Sequence, residues 1–186
     1  MTKLILASKS PRRQQLMKSL GYPFEIEVQD TNEEINTHSS LRKEVEILSY
    51  RKAKAVYKNH TDAIVIGADT LVTINHEVLG KPANEEVAKE MLKKLSGNVH
   101  EVITGVTILY PDGSEESFSS VSKVTFDIMS DEEIDEYVIT KEPMDKAGAY
   151  AIQGIGAKFI KKIEGDYYAI MGLPIHSIYK RIKKYF

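Results

Sequence analysis

Ala63-Ile64-Val65-Ile66-Gly67 is the most apolar stretch of the chain, and it runs directly into Ala68-Asp69-Thr70. A short continuous run of this kind reads as a buried strand, so the remaining sequence must supply neighbouring strands and covering helices. Lys3 to Ala7 is a second such run, and Ser10-Pro11 after it reads as an N-cap and first helical residue. The helix predicted over 11 to 20 carries Leu16, Met17 and Leu20 on one side and stops at Gly21.

Further along, Tyr22 to Val28 reads as a strand, Gln29 to Ser39 as a polar loop and Ser40 to Lys58 as an amphipathic helix. Leu71 to Ile74 and Glu77 to Leu79 flank an Asn75-His76 turn and form a hairpin, and Asn84 caps a helix from Glu85 to Leu95. Strands Glu101 to Tyr110 and Glu115 to Ser119 meet at Pro111-Asp112-Gly113, with a further strand from Val121 to Ile128. Ser130-Asp131-Glu132-Glu133 is a capping box opening a helix to about Thr140. A Gly-containing loop, 144 to 156, two strands around Gly165 and a helix from Pro174 to Tyr185 follow. Strands and helices alternate without repeat or linker, which predicts one α/β domain over 1–186 with both parallel and antiparallel pairing.

Composition closes several alternatives. The 186 residues are 42% hydrophobic and 28% charged, as in an ordinary globular domain. There is no cysteine, which excludes disulfides, thiolate zinc sites and a cysteine nucleophile. The N-terminal apolar run is too short for a signal segment or a membrane span, so the expected location is the cytoplasm. A net charge of −2 argues against a stable nucleic-acid complex. The basic cluster Lys180, Arg181, Lys183 and Lys184 alternates with Ile178, Ile182 and Tyr185 and reads as a solvated helix face.

Local chemistry singles out a few positions. Arg12 and Arg13 occupy the first helical turn, where the helix dipole is already positive, at a cost of about 0.3 to 1 kcal/mol each. Either both point into water, or an anion relieves the conflict. The free N–H groups of that turn, the Ser8 and Ser10 hydroxyls and two guanidiniums make a phosphate site. Asp69, following the apolar run, wants a metal, a lysine or a bound water, unless it merely caps a turn. Lys52 falls on the apolar stripe Leu41, Val45, Leu48, either as a snorkelling side chain or aimed at a site. Lys81, between Gly80 and Pro82, is a surface lysine or a phosphate ligand. Glu33 and Glu34 are solvated charges or donors to a divalent cation. Gln153, near the end of the long loop, has a donor and an acceptor suited to a base edge. No P-loop, GxGxxG or GxSxG is present, and the histidines at 38, 60, 76, 100 and 176 lack ligand spacing.

Six strings carry a resemblance in colinear order: LILASKSPRR at 4–13, VIGADT at 65–70, LGKP at 79–82, KLSG at 94–97, TKEPMDKAGAYAIQG at 140–154 and MGLP at 171–174. Together they resemble the Maf family of nucleoside triphosphate pyrophosphatases over nearly the whole chain. SPRR, GADT and IQG look like the branch that hydrolyses dTTP and UTP rather than the 7-methyl-GTP branch.

The resemblance implies an inosine-triphosphatase-like fold, a mixed elongated α/β sheet with flanking helices and a deep cleft. It implies hydrolysis of dTTP and UTP, with modified pyrimidine nucleotides as further substrates, to the monophosphate and pyrophosphate in a house-cleaning role. A divalent cation is implied, Mg2+ or Mn2+ with Co2+ a further candidate, held by Asp69 and Glu33. The implied catalytic set is Asp69 as general base with Glu33, Lys52 and Lys81; Ser8, Ser10, Arg12, Arg13, Thr70 and Gln153 bind and select the substrate. A homodimer is the usual assembly. The alternative reading is a non-catalytic nucleotide-binding regulator of septum formation.

Overall fold

The computed structural model describes residues 2–36 and 39–186. Thr37 and His38, at the end of the predicted polar loop, lie outside the described residues. Among the described residues seven strands form one mixed sheet: β1 (Lys3–Leu6), β2 (Glu25–Ile26), β3 (Ala63–Ile74), β4 (Glu77–Leu79), β5 (Val99–Leu109), β6 (Glu115–Phe126) and β7 (Ile160–Glu164). Their order is β2-β1-β3-β5-β6-β7, with β4 paired to β3. Pairing is parallel for β1 with β2 and with β3, and antiparallel for β3 with β4 and for β6 with β7. The helices are α1 (Pro11–Lys18), α2 (Leu41–Tyr57), α3 (Glu85–Leu95), α4 (Asp131–Ile139), α5 (Tyr167–Met171) and α6 (Ile175–Ile182).

Several expected boundaries shift for physical reasons. β3 is a single twelve-residue strand rather than a strand followed by a separate hairpin arm, because it exchanges β1 for β4 as its partner along its length. Residues 115 to 126 are likewise one strand; Ser119-Ser120 brings neither Gly nor Pro to break it. The strand expected over Tyr22 to Val28 shrinks to Glu25–Ile26, since β1 offers it only Ile5 and Leu6 in register. Beyond Gly165 the expected second strand is helix α5. Asp166 caps it, its carboxylate accepting the N–H groups of Tyr168 at 2.8 Å and Ala169 at 3.2 Å. The Asn75-His76 turn has positive φ at both residues, 49° and 66°, as a tight hairpin requires.

The chain divides into two compact units. The first holds Met1–Thr70, Thr104–Ser120 and Gly172–Phe186; the second holds Leu71–Ile103 and Val121–Met171.

In the first unit, β1 and β3 bury Leu4, Ile5, Leu6, Ile64, Val65 and Ile66. Helix α2 covers the face carrying Ile5 and Val65, setting Ala53 and Val56 against them. The helix lies directly on the sheet because Gly67 of β3 and Gly105 of β5 lack side chains. A Cβ on Gly67 would collide with the Ser49 carbonyl and the Ala53 amide, and one on Gly105 with the Val45 carbonyl. The centre of the helix's inner face is therefore Ser49 and Ala53, and Lys52 stands at its edge.

In the second unit α3 and α4 are capped as expected. Asn84 accepts the Val87 N–H, and Ser130 and Glu133 form both halves of the capping box. The segment after α4 folds into short 3-10 turns rather than open loop, at Glu142–Asp145, Ala147–Ala149 and Ile155–Phe159.

Candidate active site

The site grows from the parallel pairing of β1 and β3. Their last registered pair is Leu6 with Ile66, and the Ala7 N–H still donates to the Ile66 carbonyl at 2.8 Å. β1 then leaves the sheet while β3 continues, so Ser8 is released beside the stretch of β3 carrying Asp69 and Thr70. This is the carboxyl edge of a strand pair, the usual place for ligands in α/β sheets. Asp69 accordingly lies within β3, not at its end; it is accessible because its neighbour stops.

Ser10 caps α1, accepting the Arg13 N–H, and Pro11 takes the first helical position. The Arg13 side chain turns inward instead of to water. Its Nε donates to the Gly172 carbonyl at 2.8 Å, one Nη to Thr70 Oγ1 at 2.9 Å and the other to Ser8 Oγ at 3.4 Å. Ser8 Oγ also accepts the Ser10 N–H at 3.2 Å, which leaves its own O–H to donate among the described contacts. Thr70 Oγ1 shares a further 2.8 Å bond with Thr104 Oγ1, a fully buried hydroxyl on β5. Burial lowers the pKa of Arg13, against the charge of Asp69, which raises it. Arg12 is half-buried and Ser10 partly exposed at the mouth of the same turn.

The second cluster is ionic. Lys52 Nζ is hydrogen-bonded to Asp69 Oδ1 and lies 2.9 Å from Glu33 Oε1. The Lys52 and Asp69 side chains are 18% and 15% exposed, so this is a sheltered pair; Glu33, at 68%, closes it from the solvent side. Arg51, the preceding residue on α2, donates to the Asn32 and Glu34 carbonyls at 3.2 and 2.9 Å and pins the segment that carries Glu33. Of the acidic doublet it is thus the Glu33 carboxylate that meets Lys52, while the Glu34 carboxylate accepts from Asn32.

Ser8, Ser10, Arg13 and Thr70 therefore form one network and Glu33, Lys52 and Asp69 another, joined through the Asp69-Thr70 peptide. Lys81 and Gln153 belong to the second unit, where both are exposed. Sequence reasoning did not anticipate Thr104 or the Gly172 carbonyl as partners. MGLP pointed at Gly172, but no local signal marks Thr104, whose role depends on β5 lying beside β3.

Asp69 and Glu33 bring two carboxylates as hard oxygen donors, each with one oxygen facing Lys52 Nζ. Among the described residues no group of three or more His, Cys, Asp or Glu could hold an ion. That donor set fits a Mg2+-like cation completed by substrate phosphate oxygens and water, and does not fit a dedicated all-protein cage.

The general architecture recurs in a solved structure. The Ham1 protein of Staphylococcus aureus aligns over 100% of both chains with a TM-score of 0.52 and 14% identity, a likeness of fold alone. The family follows from the sequence: residues 3–185 match the family described as Maf-like protein, and the chain belongs to it. It is similar to the dTTP/UTP pyrophosphatase of Bacillus cereus strain AH820, at 50% identity over 185 residues, covering 100% of this chain and 96% of that protein. The dTTP/UTP pyrophosphatase of Bacillus thuringiensis subsp. konkukian strain 97-27 is similar to the same extent.

Proposed function

We propose that this chain hydrolyses the α-to-β phosphoanhydride of dTTP and UTP, releasing the nucleoside monophosphate and pyrophosphate. The carrying observation is the sheltered Lys52–Asp69 pair one residue from Thr70, whose hydroxyl is tied to a buried arginine. A carboxylate, an ammonium and a serine O–H at the edge of a strand pair are what phosphoryl transfer asks for: positioning and charge, with little covalent chemistry. Half-identical relatives named dTTP/UTP pyrophosphatase support the pyrimidine substrates.

In the proposed reaction Asp69 accepts a proton from water as its oxygen bonds to the α-phosphorus. The bond from that phosphorus to the bridging oxygen breaks, and the electron pair leaves with pyrophosphate. Lys52 balances the Asp69 charge before the proton moves and faces the phosphates afterwards. The Ser8 hydroxyl and the N–H groups of the α1 first turn hold phosphate oxygens, with Arg12 at the rim. Arg13 fixes Ser8 and Thr70 and adds charge from behind. Asp69 and Glu33 would hold the divalent cation, which when bound neutralises charge on the phosphates. Lys81 as a ligand of the leaving pyrophosphate and Gln153 as reader of the base complete the proposal, on the strength of the family resemblance. The proposed setting is the cytoplasm and the proposed assembly a homodimer. No helix among the described residues is long and apolar enough to cross a membrane.

The experiment is an assay of pyrophosphate and orthophosphate release over nucleoside triphosphates with pyrimidine and purine bases, with and without Mg2+, Mn2+ or Co2+. Pyrophosphate from dTTP and UTP, dependent on metal, is expected. Nucleotide binding without pyrophosphate release, or release of orthophosphate alone, overturns the proposal.

A further inference from the structure

Glu142 has no part in the chemistry above, yet its carboxylate is among the most heavily engaged in the second unit. Oε1 accepts the Ile155 N–H at 2.9 Å; Oε2 accepts the Gly156 N–H at 2.9 Å and the Tyr137 hydroxyl at 2.6 Å. The Tyr137 oxygen in turn accepts the Ala151 N–H at 3.1 Å. Tyr137 is 1% exposed, and its ring packs edge-on against Phe159 at 5.4 Å, so the hydroxyl has little freedom.

The anchored amides lie on both sides of one residue. Ala151 precedes Gln153 by two positions, and Ile155 and Gly156 follow it by two and three. Gln153 itself is exposed, and its side chain has no hydrogen-bond partner among the described residues. Gly154 sits at φ 146°, and a Cβ there would collide with Glu142 Oε1, so the carboxylate fills the space a side chain at 154 would need. Lys146 Nζ donates to the Glu142 carbonyl at 2.9 Å and steadies the other end of the clamp. Burial disfavours the Glu142 charge, but the Tyr137 hydroxyl and the Ile155 and Gly156 amides outweigh it and lower the pKa, keeping the clamp ionised.

Tyr150, Ala151, Ile152 and Gly156 on either side are buried, whereas Gln153 between them is exposed, so the clamp fixes the backbone under a side chain that the packing itself does not use. We infer that Glu142, together with Tyr137, is a positioning residue for nucleobase selection, presetting the backbone on both sides of Gln153 so that its amide meets the base without an ordering cost. The inference deepens the proposed function and rests on its nucleotide reading.

The test is equilibrium binding of non-hydrolysable α,β-methylene analogues of UTP and GTP to the full chain and its variants Glu142→Gln, Tyr137→Phe, Gln153→Ala and the Glu142→Gln/Gln153→Ala double variant. Thermal melts serve as the folding control. Glu142→Gln replaces one acceptor oxygen by a donor facing an N–H. It should lower the UTP-to-GTP affinity ratio by about tenfold, in the range a misplaced polar contact costs a specificity pocket. Tyr137→Phe should lower the ratio by a smaller factor, and Gln153→Ala should lower it no further in the Glu142→Gln background. An unchanged ratio in a folded Glu142→Gln protein, or losses that simply add in the double variant, overturns the inference. Should Glu142→Gln fail to fold, Tyr137→Phe decides it by the same ratio, and an unchanged ratio there overturns it. Wild-type protein that binds the analogues but releases no pyrophosphate removes the catalytic proposal while the ratios still decide the clamp. Protein that binds neither analogue removes both.

Discussion

Lys52, three turns along α2, places its ammonium on the carboxylate of Asp69 in β3, and both side chains are mostly sheltered from water. Removing one member of such a pair leaves the other's charge without its counter-ion in a poorly solvated place. Asp69→Asn keeps shape and hydrogen bonding but cannot take a proton, so turnover on UTP should fall by at least about 10²-fold. Lys52→Met should lower both turnover and the melting temperature. Single-turnover rates and thermal melts on the two variants check this, and an Asp69→Asn enzyme of near wild-type rate would remove Asp69 as the base.

The two adjacent arginines should behave differently. Arg13 is buried and donates to Gly172, Thr70 and Ser8 in three directions, a geometry an ammonium cannot reproduce. Arg13→Lys should cost about 2 kcal/mol or more of stability, the worth of one or two hydrogen bonds from a charged group. Its kcat should fall as well. Arg12→Lys, at the rim, should hold stability within about 0.5 kcal/mol and act mainly on KM. Urea denaturation and steady-state kinetics on both variants separate these effects, and equal stability losses would contradict the assigned roles.

Helix α2 rests on the backbone of Gly67, where an added Cβ would meet the Ser49 carbonyl and the Ala53 amide. Backbone cannot yield as a side-chain tip can, so Gly67→Ala should destabilise by about 1–3 kcal/mol and displace Lys52 from Asp69. Gly80→Ala, whose new methyl would have nothing within 4 Å, is the neutral control. The readouts are chemical denaturation and UTP hydrolysis; a Gly67→Ala protein as stable as the control would refute the close contact.

Acid stability should depend on His100, which is 1% exposed and packed edge-on against Phe126 and Tyr150. Its Nε2 shares a 2.7 Å hydrogen bond with the Tyr150 hydroxyl. Burial pushes its pKa down from 6.5 to about 4. As pH falls, the unfolded chain takes up this proton first, so stability is lost from pH 6.5 down to about 4 and the loss levels off below that. The whole step is worth about 3 kcal/mol. His100→Gln should flatten this part of the stability curve, measured by urea titrations between about pH 4 and 7. A wild-type curve already flat over that window would show that the imidazole is not desolvated.

Much of the architecture could be read in one dimension because its signals are local. The caps at Ser10, Asn84 and Ser130 act within one helical turn, and each lies where the sequence places it. The apolar runs of β1 and β3 are buried strands for the same reason that they are apolar. Local pattern misleads where a partner decides the outcome. Glu25–Ile26 is short because only Ile5 and Leu6 of β1 pair with it, and residues 167–171 are helical because Asp166 caps them after a glycine that looked like a turn between strands.

The candidate site divides in the same way. Sequence alone singled out the candidate side chains: the serines and arginines of 8–13, Asp69-Thr70, Glu33 and a lysine, Lys52, on the α2 apolar stripe. Only the tertiary structure decided their roles toward one another. Parallel pairing in register brings Ser8 level with the segment holding Asp69, and a helix seated on glycines delivers Lys52 to that carboxylate. Arg13, which from the sequence looks outward for an anion, is instead held inside by Gly172, a residue 159 positions away. A charge placed on a helix start leaves water, an anion or protein acceptors as its partners; which of them meets Arg13 depends on long-range packing that no local pattern encodes.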